Sequence, residues 1–132
     1  MHKVMALDVG TKRIGVALSD YLQVIATPCC CIPREPEEKA IAEITKIAKE
    51  NRVEKIVVGL PINMDGSLGF QGENCKEFAQ KLVGFDIIME DERLTSEEAE
   101  ERLKSRKVDF RKNKGLVDIE SACIILEQYL GK

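Results

Sequence analysis

Carboxylates are the side chains in this sequence best suited to chemistry. Asp8 ends one apolar run, Asp91 and Glu92 follow another, and Asp118 falls in the first turn of the last predicted helix. The only histidine is His2, at a terminus, which nearly removes Ser/His, Cys/His and histidine-ligated metal chemistry. Grouped carboxylates suit Mg²⁺ or Mn²⁺, which can activate water and stabilise the leaving oxygen in phosphodiester cleavage.

Each acid also has a simpler explanation. Asp8, two residues before Gly10, could be an Asx-turn residue. Asp118 could simply be an acid that the helix dipole favours at the N-terminus of the last helix. Asp91 and Glu92 could be ordinary surface acids. The catalytic hypothesis depends on all of them meeting at one sheet edge, where ligands collect in α/β proteins. Spacing alone does not establish that.

Hydrophobic periodicity predicts the order β-β-β-α-β-α-β-α-α. Strands are predicted at 3–9, 13–19, 22–32, 53–60 and 85–90, and helices at 37–50, 73–83, from Thr95, and at 117–130. Thr95 and Glu98 have capping-box spacing, and Pro28 indicates a sheet edge or a strand limit rather than a central strand. This order predicts an α/β fold whose mixed sheet joins an antiparallel hairpin to parallel βα units.

Composition predicts one domain over residues 1–132. The 132 residues are 44% hydrophobic and 33% charged, enough apolar content for a packed core. No apolar run suits a membrane span and no signal peptide is evident, so we expect a cytoplasmic protein. Five cysteines, three of them consecutive, favour free thiols in a reducing compartment, with the trio filling a strand.

Charge is strongly segregated although the net charge is only −3. Residues 86–101 carry a local net charge of −7, and residues 102–114 carry +6. These blocks could be a metal site beside a phosphate-contacting surface, or simply solvated helix faces and a loop.

Four sequence blocks stand in order along the chain: 6–17 (ALDVGTKRIGVA), 58–61 (VGLP) with 63–67 (NMDGS), 91–96 (DERLTS) and 114–118 (KGLVD). Together they resemble the YqgF/RuvX family of Holliday-junction-resolvase-like nucleases over essentially the whole chain. The first block alone is weakly specific, because actin-like ATPases use a similar phosphate hairpin. The four blocks together are highly specific.

The resemblance implies an RNase H-like fold, with a mixed five-stranded sheet flanked by helices. It also implies an acidic triad of Asp8, Glu92 and Asp118 that binds Mg²⁺ or Mn²⁺. Family roles range from junction resolution to maturation of the 5′ end of pre-16S rRNA, so the implied partners are structured DNA or pre-rRNA. Monomer and homodimer both remain open.

One hydroxyl and several cations could contact phosphates. Thr11, Lys12 and Arg13 lie on the predicted hairpin turn after Asp8, and Arg93 adjoins two acids that it could merely neutralise. The candidates in the basic segment are Arg106, Lys107 and Arg111. In the predicted loop at 59–67, Asn63 and Ser67 could line the site or only form a turn. The family commonly has Gly-Pro-Arg/Gln-Ala where this chain has Gly69-Phe70-Gln71-Gly72, so a phosphate contact assigned to an arginine there becomes doubtful, because Gln71 carries no charge.

These residues could serve one of three functions. The leading one is a metal-dependent nuclease, and the second is a non-catalytic RNase H-like module that only binds nucleic acid. The third, an actin-like phosphotransferase, needs two such domains and an adenosine pocket, for which 132 residues are too few.

Overall fold

A computed structural model describes residues 1–61, 65, 67–92 and 95–131, with the side chains of residues 92, 95 and 96 excepted. The elements are β1 (Lys3–Val9), β2 (Arg13–Ser19), β3 (Ala26–Pro33), α1 (Glu37–Glu50), β4 (Val53–Pro61), α2 (Phe70–Gln80), β5 (Asp86–Glu92), α3 (Thr95–Ser105) and α4 (Gly115–Leu130). The predicted order is confirmed. None of the helices within these ranges is long and apolar enough to cross a membrane.

The strands form one mixed sheet in the order β3-β2-β1-β4-β5. The pairs β1–β2 and β2–β3 are antiparallel, and the pairs β1–β4 and β4–β5 are parallel. The parallel pairs follow from the helices that intervene along the chain, since a parallel connection needs a crossover. β3 is an edge strand, as Pro28 predicts, and Cys29 is the extra residue of a bulge opposite Val16 and Ala17.

The sheet separates two apolar layers. On one face, alternate strand residues such as Met5, Leu7 and Ile14 pack with α1 and α2 around Ile44 and Phe78. On the other face, the smaller side chains of β1, β2 and β4 pack against the apolar side of α4. α3 packs on α4. Alternation along β1 therefore assigns Asp8 to the α4 side of the sheet, with Val4 and Ala6.

β3 and α2 begin elsewhere than predicted, for local reasons. β3 begins at Ala26 rather than at residue 22, because the Asp20 carboxylate accepts hydrogen bonds from the backbone N–H groups of Val24 and Ile25 at 2.8 and 2.9 Å. These bonds fix a turn and lower the pKa of Asp20. α2 begins at Phe70 rather than at residue 73, because the N–H of Glu73 already bonds the Gly69 carbonyl.

Two further elements are longer than predicted. β5 continues through Asp91 and Glu92, because these residues still pair with Leu60 and Pro61. Both acids thus lie in the last two positions of the strand instead of just past it. α4 begins at Gly115, two residues before the predicted start, and this places Asp118 within its first turn as expected.

The first turn of α4 lies directly against β2. A Cβ built on Gly15 would stand 2.0 Å from the Asp118 carbonyl oxygen and 2.8 Å from the Ile119 backbone nitrogen. Any side chain at position 15 would therefore push the helix away from the sheet. Gly15 sets the distance between α4 and β2 because only glycine permits this approach.

We expect Gly15→Ala to lower the free energy of unfolding by about 3 kcal/mol, because the new methyl group overlaps backbone atoms that cannot rotate away. Urea denaturation followed by circular dichroism measures this. Gly131→Ala is the matched control, because Gly131 lies at the α4 C-cap with a helical φ of −80°. Equal stability of the two variants would contradict the tight contact.

Candidate active site

A row of residues crosses three strands near the carboxyl end of β1. Asp8 pairs with Gly15, and Gly15 pairs with Cys31 on the edge strand. The first turn of α4 covers the middle of this row, because its backbone rests on Gly15. Asp118 is therefore brought to the same face of the sheet as Asp8, although 110 positions separate the two in sequence.

The pKa of the Cys31 thiol responds to the charges of both carboxylates. Its pKa is raised, first by burial and then by the negative charges of Asp118 and Asp8, while Arg13 acts in the opposite direction. The strand register places Cys31 in the same row as Gly15 and Asp8, which agrees with the placement of Asp8 and Asp118 on one face. The raised pKa keeps the thiol protonated, so Cys31 is poorly suited to act as a nucleophile.

Arg13 forms an ion pair with Asp118. Its Nε donates to Asp118 Oδ2 at 2.7 Å, with the side chains 37% and 20% exposed. This hydrogen bond raises the pKa of Arg13, which stays fully charged. One oxygen of Asp118 thus already binds a cation, a partner that the sequence pattern did not predict.

The third predicted acid is described only by its backbone. Glu92 is the last residue of β5 and pairs with Pro61, so its main chain lies at the carboxyl end of the parallel strands. Its side chain, Arg93 and Asn63 lie outside the described residues, as does the Thr95 half of the predicted capping box. Among the side chains that are described, no three His, Cys, Asp or Glu residues form a group able to hold a metal ion. The triad of Asp8, Glu92 and Asp118 stays a prediction.

The turn between β1 and β2 rests on a buried arginine that the sequence did not single out. Thr11 and Lys12 are exposed in this turn. Beneath it, Arg34 donates from Nη1 to the Gly10 carbonyl at 3.2 Å, and its backbone N–H donates to the Lys12 carbonyl at 2.9 Å. Arg34 therefore fixes the turn that carries the predicted phosphate contacts.

Arg34 is itself held by α1 and α2. Its guanidinium lies 4.7 Å from the centre of the Phe78 ring, and Nη2 donates to Asn74 Oδ1 at 2.9 Å and contacts Glu37. The only sequence signal was a lone cation between two prolines, Pro33 and Pro36, which does not distinguish a buried arginine from an exposed one.

Gln71 has a structural role where the family pattern departs. Its side-chain amide donates to the Val9 carbonyl at 3.0 Å, and the Cys75 thiol donates to the same oxygen at 3.4 Å. These bonds join the start of α2 to the carboxyl end of β1. A neutral amide is sufficient for this task, so Gln71 supports the site without supplying a charge.

Part of the positive charge of the basic segment (residues 102–114) is already paired with carboxylates of α4. The Glu120 carboxylate on α4 is 6% exposed and pairs with Arg106, with Arg102 at 3.8 Å. Arg102 also binds Glu127 at 2.6 Å. These two arginines therefore hold α3 against α4, while Lys107 and Arg111 remain on the surface. The predicted phosphate contact of Arg106 stays untested, but its guanidinium already has a buried partner.

The whole chain matches one family model. The model, RuvX, is described as Holliday junction resolvase and matches residues 2–132. A protein of Crocosphaera subtropica named "Putative pre-16S rRNA nuclease" is 46% identical over 129 residues, which cover 96% of this chain and 90% of that protein. One of Chloroflexus aurantiacus with the same name is 43% identical over 130 residues, covering 96% and 85%.

Solved structures of junction resolvases share the fold. RuvC of T. thermophilus in complex with a Holliday junction substrate superposes with a TM-score of 0.57 at 13% identity, covering 99% of this chain and 97% of that one. The Fowlpox virus resolvase bound to Holliday junction DNA gives 0.59 at 12% identity, covering 98% and 97%. The predicted RNase H-like fold is confirmed by these matches and by the five-stranded mixed sheet.

We expect Arg106→Ala to lower the free energy of unfolding by about 1 to 2 kcal/mol, because it removes the nearer partner of the buried Glu120 carboxylate. Arg102 still compensates part of that charge. Lys112→Ala, on the exposed loop of the same segment, serves as the control and should change stability by less than about 0.5 kcal/mol. Chemical denaturation measures the free energy of unfolding of both variants. An Arg106→Ala protein as stable as the wild type would show that the ion pair contributes nothing to stability.

Proposed function

Because the chain belongs to the RuvX family of Holliday junction resolvases, we propose that it is a divalent-metal-dependent nuclease that hydrolyses phosphodiester bonds in structured nucleic acid. The observation that carries this proposal is the seating of α4 on Gly15, which brings Asp118 to the sheet face that carries Asp8. The names of the relatives support pre-16S rRNA as a substrate, and the family description supports a Holliday junction. We place this activity in the cytoplasm.

The residues at this edge fit Mg²⁺ or Mn²⁺. Asp8 and Asp118 offer hard carboxylate oxygens, and the charge of Asp118 already attracts a cationic group, the guanidinium of Arg13. Glu92, at the end of β5, is proposed as the third ligand. When bound, the metal would lower the pKa of a coordinated water and offset charge on the phosphate.

The protein's own residues would position the substrate. Arg13 contacts one oxygen of Asp118 and is one-third exposed, so it can also reach a phosphate oxygen that approaches this carboxylate. Thr11 and Lys12 stand exposed on the adjoining turn, which Arg34 keeps in place. Arg93 is proposed as a further contact. Rigid placement of these groups contributes to rate by orienting the phosphate before reaction.

A non-catalytic binding module is the second candidate. It is favoured by the ion pair between Arg13 and Asp118, which neutralises one proposed ligand without any metal. In such a module the same face would bind phosphates and would not cleave them. Activity measurements separate the two functions.

We expect Asp8→Asn to reduce cleavage on the order of a thousandfold, because it removes a charge that the metal needs while keeping the size of the side chain. Binding of the same substrate should persist. The assay offers a four-way junction and a pre-16S rRNA fragment with Mg²⁺ or Mn²⁺.

Asp86→Asn is the matched control, because Asp86 is exposed at the amino end of β5, the opposite edge of the sheet. It should cleave as the wild-type protein does. Cleavage by Asp8→Asn at the wild-type rate would end the metal mechanism and leave the binding module in its place.

Metal binding can be measured without activity. A cation that binds only the folded protein, at a concentration of 100 times its Kd, stabilises it by about 2.7 kcal/mol, which raises Tm by several degrees. We expect Mn²⁺ to raise the Tm of the wild-type protein and of Asp86→Asn. Asp8→Asn and Asp118→Asn should lose most of this shift. Equal shifts in all four proteins would place the cation elsewhere.

A further inference from the structure

Two cavities adjoin each other beside the candidate active site. The first, of about 370 Å³, lies next to Asp118 and is lined by Arg13, Phe110, Arg111 and Lys114. The second, of about 390 Å³, is lined by Phe110 and Arg111 together with Lys104 and Lys107. Phe110 and Arg111 thus form the wall that the two cavities share. We call the pair the Phe110 groove.

Cations predominate along the groove. Five cations line it, against the carboxylates of Glu100, Asp109 and Asp118. Arg111 donates to Asp109 at 3.2 and 3.3 Å, but its side chain is 84% exposed, so this pair is screened by water and easily exchanged. Unlike Arg106, Arg111 can therefore turn to an anionic ligand.

Lys107 holds a backbone conformation that favours glycine. Its φ is +60°, and the N–H groups of Lys107 and Val108 bond the carbonyls of Lys104 and Leu103 in the Schellman pattern that ends α3. A glycine would adopt this conformation with less strain. Here the position carries a long cationic side chain at the second cavity instead.

An aromatic side chain between cationic cavities is the arrangement that binds single strands. Bases stack on the ring and phosphates follow the cations, whereas a duplex keeps the faces of its bases covered. Each cavity lies within the size range of small-molecule sites, about 300–1,000 Å³, so one nucleotide can enter. Phe110 is partly buried, which holds the ring in place and leaves part of it accessible.

We infer that the Phe110 groove binds an unpaired strand next to the cleaved phosphate, with one base stacked on Phe110. This inference rests on the proposed nuclease function and narrows its substrate class. The productive substrate would then have unpaired nucleotides beside the phosphate at Asp118, as at a single-stranded end or at an opened junction. A fully paired duplex would contact only the cations.

The chain contains two tyrosines and no tryptophan, so Phe110→Trp introduces a single tryptophan at the shared wall, whose fluorescence is excited selectively over that of the tyrosines. We expect a twelve-nucleotide oligouridylate or oligothymidylate to quench this fluorescence, because stacking on a base brings the two ring systems into contact. A duplex of the same length should quench it much less. EDTA is present throughout, so neither metal binding nor cleavage is required.

Tyr21→Trp provides the matched control. Tyr21 lies in the turn between β2 and β3, where its ring contacts Lys3 at the other end of β1. Nucleic acid should leave this fluorophore unquenched. A Phe110→Trp signal that does not change, or that changes equally with single strand and duplex, would overturn the inference.

Affinity gives a second test. Phe110→Leu keeps an apolar side chain but removes the aromatic face, so we expect single-strand affinity to fall about tenfold and duplex affinity to stay the same. Tyr21→Leu should change neither, and a thermal melt establishes that each variant is folded. An equal loss of affinity for single strand and duplex would show that Phe110 only packs within the fold, and would overturn the inference. Quenching of Phe110→Trp by polyglutamate would show that the groove attracts any polyanion, and would likewise overturn the inference.

The two proposals fail separately. If single strands quench Phe110→Trp selectively but the wild-type protein cleaves nothing, the proposed strand groove would stand and the proposed nuclease function would be rejected. If cleavage depends on Asp8 but Phe110→Trp is quenched equally by single strand and duplex, the nuclease proposal would stand and the strand groove would be rejected.

Discussion

The close contact between α4 and β2 at Gly15 is the constraint on which the site depends. The sheet brings Asp8 to its carboxyl edge by the register of β1, but it cannot supply Asp118, which comes from the last helix. Only a residue without a side chain lets the helix backbone approach closely enough for the two acids to share one face. Packing on the rest of this face, through small residues such as Ala6, Ala17 and Ala122, is consistent with the same short distance.

Electrostatics around this contact are balanced by residues distant in sequence. Two carboxylates on one face repel each other, and Arg13 relieves part of that repulsion by binding Asp118. Away from the site, the buried Glu120 carboxylate pairs with Arg102 and Arg106, which fixes α3 on α4. The positive segment is thus divided: some of its charge holds the fold together, and the remainder faces solvent near Asp118.

Periodicity was sufficient to predict the element order and the parallel and antiparallel pairing, because these depend on local patterns and short connections, and Pro28 pointed to an edge or a strand limit at β3. The roles of Arg13, Arg34 and Arg106 could not be predicted in this way. Each binds a group on another element, and the choice depends on how helices seat on the sheet. Sequence reasoning identified Asp8 and Asp118 as candidates, but it supplied no reason for their meeting. Gly15 supplies that reason.

The bulge in β3 affects how copies of this chain could associate. An exposed sheet edge offers a row of N–H and C=O groups to which a strand of another molecule can add. Along β3 that row is broken at Pro28, which has no N–H, and the bulge at Cys29 shifts the groups that follow. Continuous strand addition is therefore blocked on this side of the sheet. A homodimer of this protein would have to be built from helices, loops or the β5 edge.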